Sequence, residues 1–283
     1  MTRRTGSCPT GDPQPRASSS RAFPPRSIRV ACAVACLGLV ALGGCAPKAR
    51  TEALAVSGTR PTTLEVRVEL PRGKPPYPVV ILLHGCGGLT PAVNQALAGH
   101  AAFLREHGFA TVVLDSFGPR GLGAGNVCPS PAELAAARDY RQRDVERLVE
   151  HLRRQPRFQP EALFLVGQSN GGSVALRQAR VGTFAAVVAL YPWCGGLPRD
   201  PSAWPSPVLV LAGDADDWTP PDECVSVAQA VGSRFQVELF AGAHHSFDLD
   251  LPVQTYAGHT VAGTPHLADA ARERMLRHFD AAR

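Results

Sequence analysis

The stretch Phe164–Leu176, FLVGQSNGGSVAL, places a serine between glycines at the point where an apolar run ends and a helical pattern begins. Its GQSNG segment fits G-x-S-x-G, in which a sharp strand-to-helix turn exposes the serine hydroxyl. The residues two before and two after Ser169 must then lack side chains, and Gly167 and Gly171 satisfy this requirement. A helix that begins at Asn170 would also direct its positive end at the same point. The context therefore predicts a nucleophile at Ser169, with a tight structural turn as the alternative.

Apolar runs of strand length alternate with helical patterns along the chain. Leu64–Leu70 alternates like a half-buried strand, and continuous apolar runs follow at Tyr77–Gly85, Phe109–Ser116, Ala162–Ser169, Phe184–Pro192 and Pro207–Asp214. Helical patterns lie at Pro91–His107, Pro131–Arg154, Gly171–Arg180, Asp222–Val231 and Pro265–Phe279. Continuous apolar runs suit strands that are buried on both faces of a parallel sheet. The alternation predicts an α/β fold, with a doubly wound, mostly parallel sheet flanked by helices, in one domain over residues 64–283.

A serine hydroxyl needs a base to accept its proton, and a histidine held by a carboxylate supplies one. In a fold of this kind the three residues follow in the order serine, acid, histidine. LVLAGDADDWTPP ends one buried run with Asp214, Asp216 and Asp217, and LFAGAHHSFD ends the next with His244 and His245. Both segments are strand-end loops at the carboxyl edge of the predicted sheet, where sites in open α/β sheets collect. The sequence therefore predicts a catalytic triad at this edge.

Six blocks together resemble the dienelactone hydrolase family of α/β-hydrolases: ILLHGCGG, DSFGPRG, GQSNGG, YPWCGG, GDADDWTPP and GAHHSFD. They occur in the family's order and span about residues 77–247. The family's G-x-x-D-x-x-(V/T)-P motif selects Asp216 as the triad acid, with Asp217 as the near competitor, and its H-x-F motif selects His245 as the base. The family's namesakes use a cysteine nucleophile where this chain has Ser169. The resemblance therefore implies a serine ester hydrolase rather than an enzyme for dienelactone itself.

Acyl transfer requires hydrogen-bond donors for the developing oxyanion. The N–H of Asn170, which follows the nucleophile, is one expected donor. The resemblance of HGCGG to the family's H-G-x-G loop assigns the N–H of Cys86 as the other. His84 precedes that loop, and we expect it to hold the loop by hydrogen bonds rather than to act as a base. Trp218 and Trp193 are candidates to line the substrate pocket, with packing as the alternative role.

Charged residues between the third and fourth predicted strands suggest structural roles. Arg138, Asp139, Arg141 and Asp144 recur at helical spacing, which is typical of a solvated face or a loop brace. Arg120 lies in the Gly- and Pro-rich segment 118–131, which is long enough for a lid or a substrate wall. An exposed loop arginine is the expectation there, and binding of a substrate carboxylate is the alternative.

The first 44 residues predict a targeting segment. Arginines up to Arg29 precede the short apolar run VACAVACLGLVAL, which is too short to span a bilayer as a helix. LGGC at residues 42–45 resembles the lipobox of bacterial lipoproteins, which predicts cleavage before Cys45 and lipidation of its thiol. An ordinary secretory signal is the alternative. Ala46 resembles the sorting pattern for the outer membrane, so we expect the protein on its periplasmic face, with residues 45–63 as a flexible tether.

Export affects how the other features are interpreted. Without the leader, the basic and acidic residues are equal in number, so the net charge of +5 gives no support for nucleic-acid binding. Four cysteines follow Cys45, which suggests two disulfides in an oxidising compartment. Three pairings are possible. Cys194 with Cys224 is preferred because both follow strand ends, which leaves Cys86 with Cys128. Free buried cysteines are the alternative, and no spacing suggests a metal site.

These features together predict an exported serine hydrolase that cleaves small carboxylic esters or lactones through an acyl-enzyme on Ser169. The chemistry calls for no metal and no organic cofactor, and the expected partners are a small ester substrate and a membrane. Two alternatives use the same residues differently. An acyltransferase would pass the acyl group to an acceptor other than water, and an envelope lipoprotein would keep the fold without catalysis. The sequence does not indicate the oligomeric state.

Overall fold

The computed structural model describes residues 50–56, 60–122 and 127–283. The predicted signal peptide and lipidated Cys45 lie outside these residues. The strands are β1 (Arg50–Val56), β2 (Thr62–Glu69), β3 (Tyr77–Leu83), β4 (Ala110–Leu114), β5 (Phe158–Gln168), β6 (Ala186–Leu190), β7 (Val208–Gly213), β8 (Phe235–Phe240), β9 (Gln254–Tyr256) and β10 (His259–Val261). The α-helices are α1 (Pro91–Glu106), α2 (Pro131–Arg153), α3 (Asn170–Ala179), α4 (Asp222–Val231) and α5 (Pro265–Asp280).

Within the described residues, eight strands form one sheet in the order β1-β2-β4-β3-β5-β6-β7-β8. Strands β3 to β8 are parallel to one another, whereas β2 pairs antiparallel with β4 and with β1. Every residue of β3, β4, β6 and β7 is buried, as the continuous apolar runs predict. The predicted α/β fold with a mostly parallel sheet is therefore confirmed.

Helices cover both faces of this sheet. Apolar residues of α2, α3 and α4 pack into the core on one face, and those of α1 and α5 pack into the core on the other. Because the central strands are parallel, their carboxyl ends meet at one edge, from which the β3, β5, β7 and β8 connections leave. This edge carries the residues that the sequence selects.

The prediction of a flexible tether over residues 45–63 is wrong for residues 50–56, which form the edge strand β1. Leu54 is buried in the core, and Glu52 pairs with His151 and Arg157. The strand has a weak sequence signal because, among its described side chains, Leu54 is the one that is both large and buried. Its pairing partner β2 and the basic residues around α2 stabilise it, and they lie elsewhere in the chain. The sequence patterns also did not predict the short β9–β10 hairpin.

The two disulfides form the preferred pairs, Cys194–Cys224 and Cys86–Cys128, with Cα–Cα separations of 5.2 and 5.0 Å. The first connects the β6 end to α4, and the second connects the loop after β3 to the segment before α2. Each therefore ties a strand-end loop to a neighbouring element. In the described part of the chain, no helix combines the length and the apolar character that crossing a membrane requires.

Candidate active site

Ser169 occupies the turn between β5 and α3 in a strained backbone conformation, with φ 51° and ψ −115°. A side chain at the flanking glycines would collide with backbone. A Cβ on Gly167 would lie 2.2 Å from the carbonyl oxygen of Gly171, and a Cβ on Gly171 would lie 2.5 Å from that of His84. The glycines thus permit a turn that raises the serine out of the sheet edge, as the G-x-S-x-G pattern predicts. Positive φ at a serine costs energy and is typical of functional sites.

The structure brings Ser169, His245 and Asp216 into one hydrogen-bonded chain. Nε2 of His245 lies 3.0 Å from Oγ of Ser169, and Nδ1 of His245 lies 2.8 Å from Oδ2 of Asp216. A carboxylate only accepts, so Nδ1 donates to Asp216 and Nε2 can accept the serine proton. The arrangement is that of a nucleophile with an oriented general base.

Asp216 is held ionised by its surroundings. Its Oδ1 accepts the backbone N–H groups of Trp218 and Thr219, each at 2.9 Å, and the Thr219 hydroxyl donates to Oδ2 at 3.0 Å. Burial alone would raise the pKa of Asp216, but the hydrogen bond and charge of His245 and the Thr219 contacts outweigh burial and lower it. A negative charge therefore stays next to the imidazole throughout the neutral range.

The neighbouring candidates have other partners. Asp217 is half exposed and accepts the N–H of Thr260 at 3.0 Å, so it ties the β9–β10 hairpin to the acid loop. Asp214 accepts the N–H of Gly242 at 2.6 Å, and His244 donates from Nδ1 to the carbonyl of Ala215 at 2.9 Å. These three side chains connect loops of the sheet edge, and the geometry selects Asp216 and His245 as the partners of the serine.

The two predicted oxyanion donors lie on either side of Ser169. Asn170 is the first residue of α3, and Cys86 follows Gly85, whose Cβ would lie 3.4 Å from that of Ser169. His84 is fully buried. Its Nδ1 donates to the carbonyl of Gly85 at 2.7 Å, and its Nε2 accepts from the N–H of Ser116 at 3.3 Å. Burial and the nearby Arg141 charge lower the pKa of His84, so the ring is neutral and holds the loop, as expected.

Two cavities open beside the nucleophile, of about 280 and 290 Å³. Ser169, Cys86 and Trp218 line both. The first also contacts Arg138 and Trp193, and the second is walled by apolar side chains that include Val93, Leu249, Leu251 and Val261. Trp218 packs against His245 with 4.8 Å between ring centroids, and Trp193 is half exposed. Both tryptophans therefore lie where a substrate on Ser169 would extend.

Sequence reasoning missed a buried cluster around Asp248. This side chain is fully buried and accepts from Nε2 of His100 at 2.7 Å, from the Tyr191 hydroxyl at 2.6 Å and from Nε2 of Gln168 at 2.6 Å. Asp248 lies in the quoted block GAHHSFD, but its partners are 57 to 148 residues away along the chain. No local pattern could have identified them.

The expectation of an exposed arginine at position 120 is wrong. The Arg120 side chain is only 5% exposed and makes two 2.8 Å hydrogen bonds to the buried carboxylate of Asp144. It also donates to the carbonyl of Ser116 at 2.7 Å. The guanidinium therefore forms a structural ion pair with Asp144 and holds the loop after β4. The buried carboxylate of Asp144 needs such a partner, because an unpaired buried charge is costly.

Comparison with known proteins places this site in a family. A sequence profile described as the dienelactone hydrolase family matches residues 64–281. A curated protein of Nocardia uniformis subsp. tsuyamanensis, "Putative esterase NocK", is 31% identical over 160 residues, which are 54% of this chain and 43% of that protein. The chain thus spans less than half the length of that relative.

Solved structures share the fold. A dienelactone hydrolase-like promiscuous phosphotriesterase, P91, from metagenomic libraries has a TM-score of 0.64 and 21% identity, with 83% of this chain and 99% of that chain covered. Est1E from Butyrivibrio proteoclasticus with bound ferulic acid has a TM-score of 0.57 and 16% identity, with 81% and 99% covered. At these identities the likeness concerns the fold alone.

Among residues 50–56, 60–122 and 127–283, no group of three or more His, Cys, Asp or Glu could hold a metal ion.

Proposed function

The chain belongs to the dienelactone hydrolase family, and from that premise we propose that it is a serine hydrolase that cleaves carboxylic esters, small esters or lactones among them. The observation that carries the proposal is the continuous chain from Ser169 Oγ through His245 to Asp216, with contacts of 3.0 and 2.8 Å. Ser169 faces two cavities. An ester whose carbonyl lies at Ser169 therefore has room for its acyl group on one side and its alcohol on the other.

In the proposed reaction, Oγ of Ser169 attacks the ester carbonyl while Nε2 of His245 takes its proton. The backbone N–H groups of Cys86 and Asn170 stabilise the oxyanion of the tetrahedral intermediate. The ester C–O bond then breaks, His245 protonates the departing alkoxide, and an acyl-enzyme remains on Ser169. Water adds to this ester with His245 again as base, and the carboxylic acid leaves. Asp216 stabilises the imidazolium that forms in both steps.

The identity of the nucleophile supports an ordinary ester as substrate. A serine hydroxyl attacks only when a full general base removes its proton, and His245 is oriented for that task by a buried carboxylate. The esterase name of the relative from Nocardia uniformis points in the same direction.

Ser169→Ala tests the proposal directly. We expect hydrolysis of a short-chain chromogenic ester by the Ala46–Arg283 protein to fall by about 10³-fold or more, because Ser169 supplies the hydroxyl that meets Nε2 of His245. Thermal unfolding should change little, since the side chain removed is small and fills no core position. Ser233→Ala, at an exposed serine before β8, is the control and should keep full turnover.

Two outcomes would contradict the proposal. Folded protein that neither turns over esters nor reacts with a fluorophosphonate at Ser169 would favour a non-catalytic envelope protein with this fold. Acyl transfer to an added alcohol in clear preference to water would favour the acyltransferase alternative.

We also propose that the protein is exported and anchored through a lipid on Cys45, on the periplasmic face of the outer membrane. The two disulfides support an oxidising compartment, because such bonds are rare in the bacterial cytosol. Full-length protein expressed in a bacterium with radiolabelled palmitate should carry label and sediment with outer membranes. Cys45→Ala should abolish both. A full-length protein that is unlabelled and soluble would overturn the anchor.

A further inference from the structure

Arg141, in the middle of α2, is fully buried directly behind the candidate active site. Its Nη1 donates to Oδ1 of Asn170 at 2.8 Å, and its Nη2 donates to the carbonyl oxygen of His84 at 2.7 Å. The sequence pattern suggested a solvated or bracing role for this residue. The residue is not solvated, and the structure places its guanidinium between the two segments that carry the proposed oxyanion donors.

Removing a charged guanidinium from water costs free energy, so the groups that contact it inside the protein must compensate for that cost. The nearest carboxylate on the same helix, Asp144, is already occupied by two hydrogen bonds from Arg120. Burial lowers the pKa of Arg141 to about 10, which leaves the guanidinium charged at neutral pH. The charge also lies over the ring of Phe117, 4.9 Å from its centroid. Arg141 is thus a buried cation whose two short hydrogen bonds go to neutral oxygens.

The first of these hydrogen bonds restrains the start of α3. The Asn170 amide accepts from Arg141 and donates from Nδ2 to the carbonyl of Leu134 at 3.1 Å, so both ends of the amide are held by α2 or its side chains. The backbone N–H of this same residue is the proposed donor next to the nucleophile. Fixing the side chain therefore limits rotation of the backbone at the first turn of the helix.

The second hydrogen bond restrains the loop after β3. The carbonyl of His84 lies two residues before Cys86, whose N–H is the other proposed donor. The α3 helix packs on the same carbonyl, because a Cβ on Gly171 would lie 2.5 Å from its oxygen. A planar guanidinium has its N–H groups in a fixed fork, so it sets a distance between two acceptors as a flexible ammonium cannot.

We propose that Arg141 is a positioning residue that holds the two oxyanion donors of this enzyme at a fixed mutual geometry. It does not touch substrate, and it acts through Asn170 and the His84–Cys86 segment. For its catalytic consequence the inference rests on the proposed function. Transition-state stabilisation depends steeply on how oxyanion donors are placed, and loss of one such donor costs about 10²–10³ in kcat.

The test compares Arg141→Lys and Arg141→Met with the parent protein. We expect Arg141→Met to lower kcat for a chromogenic ester by about 10–100-fold with KM changed less than about threefold, because ground-state binding does not use the oxyanion hole. Arg141→Lys keeps the positive charge on a single donor group, which can reach one of the two acceptors. Its kcat should therefore be at least threefold higher than that of Arg141→Met. If the methionine variant does not fold, the lysine variant carries the comparison with the parent.

Leu148→Ala separates positioning from stability. Leu148 lies two turns further along α2 and is buried in the core, where truncation opens a cavity. This variant should lose stability while its kcat stays within about twofold of the parent. A kcat loss in Leu148→Ala that matches the loss in Arg141→Met at equal stability would overturn the inference.

A transition-state analogue gives a readout that a merely structural role would not change. The Ser169 oxygen adds to the carbonyl carbon of an aryl trifluoromethyl ketone, and the carbonyl oxygen becomes an oxyanion. The corresponding secondary alcohol binds without forming an oxyanion. The ketone should bind Arg141→Met more weakly by the same 10–100-fold as kcat falls, and the alcohol should bind both proteins equally. Equal affinity of the ketone for both proteins would overturn the inference.

The outcomes for Arg141 and for the proposed function can be told apart. Parent protein that reacts with a fluorophosphonate but hydrolyses no carboxylic ester would contradict the proposed function. The rate at which the fluorophosphonate reacts with Ser169 would then replace kcat as the measure of the oxyanion hole. This rate should fall at least tenfold in Arg141→Met. A folded Arg141→Met with parental kcat would overturn the inference and leave the proposed function standing.

Discussion

Among the described residues, two almost completely buried histidine–carboxylate pairs lie beneath the active-site edge, and their contact distances are closely alike. His245 and Asp216 approach to 2.8 Å, and His100 and Asp248 approach to 2.7 Å. All four side chains are almost completely buried. The pairs even share a neighbour, because Tyr191 packs its ring on His245 at 4.7 Å and donates its hydroxyl to Asp248 at 2.6 Å.

The pairs differ in what the second ring nitrogen of the histidine meets. Nε2 of His245 faces Oγ of Ser169 at the cavity wall. Nδ1 of His100 is buried and has no hydrogen-bond partner among the described residues. A short bond to a carboxylate therefore does not make a histidine a general base. The base also needs a proton to accept and a route for substrate, and only the first pair has both.

Asp216→Asn should produce the largest effect in this comparison. The amide would impose the wrong tautomer on His245, so we expect kcat for ester hydrolysis to fall by about 10³-fold or more. It also weakens hydrogen bonds to a buried carboxylate, so the free energy of unfolding should fall by about 1–3 kcal/mol in a protein that stays folded. Steady-state kinetics and urea unfolding measure the two quantities. Asp217→Asn is the matched control and should retain kcat within about threefold. A large loss in Asp217→Asn with little loss in Asp216→Asn would reverse the assignment of the acid.

Asp248→Asn should lose stability and keep most of its activity. Replacing the carboxylate weakens three buried hydrogen bonds at once, so we expect the free energy of unfolding to fall by about 2–4 kcal/mol. The kcat should stay within about fivefold of the parent, because the chain from Ser169 to Asp216 is intact. Urea unfolding at pH 7 and ester kinetics on the same preparations measure both. An Asp248→Asn protein of parental stability that had lost activity would make this pair part of the catalytic machinery.

The pH dependence of stability gives the smallest expected effect. Burial would raise the pKa of Asp248, but hydrogen bonds from His100, Tyr191 and Gln168 lower it below its ordinary value. The stability from this group is then fully present above the unfolded-state pKa of about 3.9, and it is lost as the pH falls through the lower folded-state pKa. The contribution of Asp248 to the difference in unfolding free energy between the parent and Asp248→Asn should therefore be at its full value near pH 5.

Below about pH 4 this difference should shrink, by at most about 1.4 kcal/mol per pH unit for one proton. Urea unfolding of both proteins at several pH values between 3 and 7 measures it. Other carboxylates with lowered pKa values, Asp216 and Glu52 among them, affect both proteins equally and cancel. A difference that widens as the pH falls would mean that Asp248 is not ionised in the native protein.

Residues that depend on local chain geometry could be predicted from the sequence. The turn at Ser169 needs only its own glycines and the strand and helix beside it, and all of these are adjacent in the chain. The acid loop and the two adjacent histidines were found because parallel strands bring their carboxyl ends to one edge, wherever the strands lie in the sequence. The resemblance to the family's H-x-F motif then selected His245. The Cys194–Cys224 pair followed the same logic, since both cysteines come after strand ends, and the Cys86–Cys128 pair was then left by elimination.

Residues whose role depends on distant partners could not be predicted. The spacing of Arg141 predicted a solvated face or a loop brace, and it did not show which segments the guanidinium would connect. His100 and Asp248 are 148 positions apart and meet only in the folded chain. The edge strand β1 was missed because its pairing with β2 and the contacts of Glu52 supply most of its stability.

The sequence by itself determined the α/β fold, the nucleophile turn and the loops from which the acid and the base come. These features are encoded by hydrophobic periodicity and by glycine spacing, which act over a few residues. Only the tertiary structure decided between Asp216 and Asp217, because adjacent carboxylates in one loop differ in direction and not in chemistry. It also decided which buried charges serve the active site. Buried charges persist only where remote donors and acceptors converge, and that convergence is a property of packing.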